Sequence, residues 1–156
     1  MNKTYKNDVT NFLTEILDMS DSITYSLANF EDDDINFIIS PKLYSLKVKD
    51  KDKLSFILYC SDVNVITIYC PTLYKLTDED SVMYTLDVIN RVNAKIAIGK
   101  IYLNNNNSSV ISYINRILFN DMLKELSTDL LESYIESYLA TSVEFYKQMK
   151  EGKFVR

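Results

Sequence analysis

Apolar residues recur at helical spacing at both ends of the chain and in one central segment, and at strand spacing between them. Over Lys3 to Asp18, the residues Val9, Phe12, Leu13, Ile16 and Leu17 return every three or four positions, which predicts an amphipathic helix with one apolar stripe. Residues 22–30 show no period that predicts an element. Four short runs rich in β-branched and aromatic residues follow, at 35–39, 43–48, 54–60 and 65–70, each with the pattern of a strand. The run 43–48 alternates most cleanly, with Tyr44, Leu46 and Val48 on one side and Ser45, Lys47 and Lys49 on the other. The turns at 50–53 and near Asp62 are short enough to join antiparallel neighbours, so a meander is expected.

The segment Thr77-Asp78-Glu79-Asp80 predicts a helix start, with Thr77 capping and three acids at the positive end of the dipole. The helix runs to about Ala94. Val82, Leu86 and Ile89 form one stripe, and Tyr84, Val88 and Val92 widen the apolar arc beyond what one sheet requires. Strands at 98–103 and 109–119 flank the run Asn104 to Asn107, whose side chains tolerate the left-handed backbone of a tight reversal. Leu131, Ile135, Tyr138, Phe145 and Met149 then mark a helix from about Ser127 to Met149, terminated near Gly152. The expectation is a single α+β domain over residues 1–156: an antiparallel sheet interrupted by a helix and flanked by amino- and carboxy-terminal helices.

Composition narrows the chemistry. The chain has no His, the commonest general base and metal ligand near neutral pH, so Ser-His and Cys-His nucleophile systems are excluded. Its two glycines, Gly99 and Gly152, begin no phosphate-binding loop. Asp32, Asp34 and Asn36 match the first ligands of a calcium loop, but Phe37 stands where Gly is needed and Leu43 where Glu is needed. No catalytic residue, cofactor site or metal site is predicted, and the chain is expected not to be an enzyme. Cys60 and Cys70 lie in strand runs where a hairpin would place them opposite Val65 and Ser55, too far apart for a disulfide, so two buried thiols are expected.

A net charge of −5 disfavours nucleic acid. Lys42, Lys47, Lys49, Lys51 and Lys53 crowd one hairpin, but alternation points them outward, as lysines guarding a sheet edge. Residues 1–9 hold no apolar run of signal-peptide length, and no stretch reaches the roughly 20 apolar residues of a membrane span. A cytoplasmic location is the expectation.

A local pattern points further. Ile89-Asn90-Arg91-Val92-Asn93 ends a helix, Gly99-Lys100-Ile101-Tyr102-Leu103 forms a strand, and a polar turn, a strand from Val110 to Phe119 and a helix with Leu130, Leu131 and Tyr134 follow. In these residues the chain resembles the YbjN family, whose fold is shared with type III secretion chaperones. The resemblance implies a small acidic homodimer that binds peptide segments of a partner protein, chaperone-like and non-enzymatic. The alternative it implies is a regulator of sensory transduction acting through an unknown protein partner.

Two surfaces are expected to serve such binding. The arc of Tyr84, Val88 and Val92 is the expected dimer interface, the alternative being that the closing helix of the same chain folds across it. Ile57 and Tyr59, with Ile111 and Tyr113, are expected on a sheet face that a partner covers, because several strands are apolar on both sides.

Overall fold

A computed structural model of the chain describes residues 3–28, 34–42, 54–62, 64–107 and 109–154. The first helix, α1 (Lys3–Asp18), is the predicted one, and Val9, Leu13, Ile16 and Leu17 are buried along its stripe. Six strands follow in one sheet: β1 (Ile23–Ala28), β2 (Ile35–Pro41), β3 (Phe56–Asp62), β4 (Val65–Lys75), β5 (Lys100–Leu103) and β6 (Val110–Leu118). Helix α2 (Val82–Lys95) interrupts them after β4, and α3 (Met122–Glu125) and α4 (Thr128–Phe154) close the chain. The spatial order is β1-β2-β3-β4-β6-β5, with every neighbouring pair antiparallel. The α+β class and the helices at both ends are as expected.

The meander differs from its expected form. β2 pairs β1 on one side and β3 on the other, so no strand lies between β2 and β3. The expected strand 43–48 and its lysine hairpin lie outside the described residues. The strand that sequence periodicity does not predict is β1. At the sheet's edge only Ile23 of its six residues is buried, so water reaches both of its faces and its apolar signal is weak. β4 outruns its expected end at 70 by five residues. It passes Pro71 at a break in register between Cys70 and Tyr74, the sort of irregular site that tolerates a residue without an N–H.

One hydrophobic cluster joins α1, α2 and α4 to a single face of the sheet. Phe37 and Ile39 of β2, Phe56 and Leu58 of β3, Ile66 and Ile68 of β4, and Ile111 and Tyr113 of β6 point into it. α4 spans the sheet, about 40 Å long at 1.5 Å per residue. Its Tyr138 ring meets Phe56 and Tyr113 edge to face, each with centroids 4.9 Å apart, and its hydroxyl donates to the Leu54 carbonyl at 3.0 Å.

Two helix ends depart from the predicted signals. Asp80 accepts from the Thr77 amide at 2.8 Å and from the Tyr74 hydroxyl, so residues 77–80 close into a turn of their own. α2 therefore begins after Ser81, whose hydroxyl accepts from the Tyr84 amide at 3.3 Å. Gly152 does not end α4, which continues to Phe154. It is buried under the Tyr84 ring: a Cβ on Gly152 would lie within 2.8 Å of three ring atoms. The Asn run turns by another means than expected. Asn104 and Asn107 side chains accept from the amides of Asn106 and Ser109, and among the described residues no non-glycine residue has a positive φ.

Candidate protein-binding face

Among the described residues, nothing packs on the sheet's other face. Register places Lys100, Ile114, Tyr69, Ile57, Ile38 and Ser26 in one row across β5, β6, β4, β3, β2 and β1. Arg116, Thr67, Tyr59, Asn36 and Ala28 form the next row. None of the apolar and aromatic residues in these rows belongs to the core cluster or packs against it. Ile57, Tyr59, Tyr69, Tyr102 and Ile114 are half-buried, and Ile38 is 40% exposed. The smaller Thr67 and Ser112 sit sunken between them. Burial raises the Tyr69 phenol above its ordinary value, and the neighbouring Tyr102 hydroxyl raises it further, so the tyrosines of β4 and β5 stand together.

The sequence-predicted binding residues divide between this face and the core. Ile57 and Tyr59 lie on the open face. Ile111 and Tyr113 do not: both are fully buried on the helix side, and the β6 residues on the open face include Ser112, Ile114 and Arg116. The mismatch arises because β3 shows its odd-numbered residues to the open side, whereas β6 shows its even-numbered ones. Gly99, at φ 73, permits the close approach of Tyr113, three of whose atoms would lie within 3.1 Å of a Cβ there.

The arc on α2 is likewise corrected. Thr85, Val88, Ile89 and Val92 form the buried stripe, and α4 of the same chain packs beside it. Val88 and Val92 are core residues and not an exposed interface. Tyr84 is wedged between the helices, its hydroxyl donating to the Gln148 carbonyl at 2.7 Å and the Arg91 guanidinium 5.8 Å from its ring centroid. The apolar residues that α2 leaves in water are Val82, Met83 and Leu86, and Met83 is 78% exposed.

One polar residue of functional weight escapes sequence reasoning. The Asn93 side-chain amide donates to the Ile101 carbonyl at 2.8 Å and accepts from the Ile101 amide at 2.9 Å. It thereby occupies the outer edge of β5 as a neighbouring strand would. Its spacing of eight residues before Ile101 is visible in the sequence, but nothing in the pattern says that an Asn on a helix faces a strand edge.

Both cysteines are free and buried. The hairpin register differs from the predicted one by a bulge between Tyr59 and Asp62, so Asp62 and not Cys60 stands opposite Val65. Burial pushes the Cys60 thiol up to about 11 and raises Cys70 as well. Among the described residues no helix is long and apolar enough to cross a membrane.

The fold is α+β, with one sheet face covered by helices and the other left uncovered by the described residues. No family model matches the chain, and no curated protein does. In structure it is similar to an uncharacterized protein from Methanothermobacter thermautotrophicus, with a TM-score of 0.60 and 15% sequence identity, over 91% of this chain and 96% of that one. That likeness concerns the fold alone.

Proposed function

We propose that the protein is a non-enzymatic, chaperone-like binding module of the cytoplasm whose open sheet face takes a polypeptide segment of a partner protein. The carrying observation is the row Ile114, Tyr69, Ile57 and Ile38 with Tyr59 and Tyr102 beside it, a contiguous apolar and aromatic surface that no described element covers. The resemblance to the YbjN family supports the same reading. A displayed random-peptide selection tests it: the wild type enriches peptides, and Ile57→Glu, with its melting temperature checked, does not. A wild type that enriches none refutes the reading.

Dimerisation belongs to the same proposal, with a different contact from the expected one. Val82, Met83 and Leu86 form the exposed apolar strip of α2, and a two-fold pairing of such strips would cover it.

A further inference from the structure

The open face is not electrically neutral. Along β6 it carries Arg116, Lys100 beside Ile114, and Lys75 beside Val110, all exposed. The corresponding acid among the described strand residues is Asp62, beside Val65 in the row next to that of Arg116 and two strands away from it. Among the described residues none of the three cations lies within ion-pair distance of a carboxylate. At about 3.4 Å per residue the three cations span about 20 Å, and the apolar row meets this track at Ile114 and runs about 14 Å across four strands. A chain of net charge −5 thus gathers three cations, with no carboxylate partner among the described residues, on the sheet face away from its described helices.

We propose, resting on the binding-module reading above, that this face takes an acidic amphipathic polypeptide segment. Its carboxylates would meet Lys100, Arg116 and Lys75, and its apolar side chains would lie along Ile114, Tyr69, Ile57 and Ile38. Charge complementarity selects this occupant, because unpaired cations bordering an apolar surface favour partners of opposite sign and reject those of like sign. Single-stranded nucleic acid fits less well. Three cations neutralise few phosphates, and three isoleucines in the row offer bases no aromatic platform.

The test uses the full chain, a random displayed-peptide library and single-stranded oligo(dT). Enriched peptides should carry Asp or Glu interleaved with apolar residues. The best of them, followed by fluorescence anisotropy, should lose about tenfold or more in affinity against Lys100→Glu/Arg116→Glu, and should weaken as salt rises from about 50 to 300 mM. Lys100→Gln/Arg116→Gln serves should the charge-reversed protein melt early. Enriched peptides that are neutral or basic would overturn this inference while leaving the binding module standing. No enrichment at all would overturn both. Affinity unchanged in the charge variants, or oligo(dT) binding more tightly than the best acidic peptide, would also overturn it.

Discussion

Replacing Gly152 with alanine should destabilise the protein, although alanine is the better helix former. On propensity alone the change in α4 would gain up to about 1 kcal/mol. The added Cβ, however, falls within 2.8 Å of three atoms of the Tyr84 ring. The ring cannot swing aside freely, because its hydroxyl is tied to the Gln148 carbonyl at 2.7 Å. Overpacking of this kind costs about 1–3 kcal/mol, so the net loss should reach about 2 kcal/mol, or up to about 8 °C in melting temperature for a domain of this size. Urea unfolding followed by far-UV circular dichroism reads it directly. The discriminating measurement is the double mutant. In a Tyr84→Ala background the obstruction is gone, and Gly152→Ala should become neutral or stabilising, a reversal of sign that reports coupling between the two sites. Tyr84→Phe, which unties the ring, should lower the cost partway. Stabilisation by Gly152→Ala in the otherwise unaltered protein would refute the argument that Tyr84 dictates this glycine.

Further outcomes are expected for the cysteines, for Asn93 and for the oligomeric state. Thiol-reactive dye should label Cys60 and Cys70 slowly in the native protein and fast in denaturant. Because burial raises Cys60 from 9.0 to about 11, stability should be intact below pH 9 and fall from there to about pH 11, as the unfolded thiol ionises first; a flat urea midpoint over that range would contradict this. Asn93→Ala should cost about 1–2 kcal/mol in urea unfolding, since two backbone groups of Ile101 lose their partners at an edge that water partly reaches. On light scattering after size exclusion, the wild type should run as a dimer and Met83→Asp as a folded monomer, whereas Val88→Asp should unfold, because Val88 is fully buried and its charge would have no partner. A monomeric wild type would remove the dimer.

Much of the fold is legible in the sequence where a residue's neighbours in space are also near in the chain. α1 follows from its stripe, and the hairpin of β5 and β6 from two apolar runs about an Asn turn. What is not legible depends on contacts distant in sequence. Gly152 reads as a helix stop until Tyr84, 68 positions earlier, is seen beneath it. Val88 and Val92 read as surplus apolar area until α4 is seen to cover them. Ile57 and Tyr59 are assignable to a second face by alternation within β3. Alternation within β6 says only that Ile111 and Tyr113 share a side, and which side that is depends on register with β4 across a bulge. Asp80 shows the same limit on a smaller scale: a helix signal by composition, it is drawn off by the Tyr74 hydroxyl.

The Asn93 amide, already seen to occupy the outer backbone groups of Ile101, makes the two borders of the sheet unequal. At the opposite border β1 carries no Lys, Asp, Glu or Pro, and no described strand pairs with its outer side. Among the described residues, strand addition thus has one border open to it and one that Asn93 blocks, and loss of the Asn93 side chain would expose the second as well.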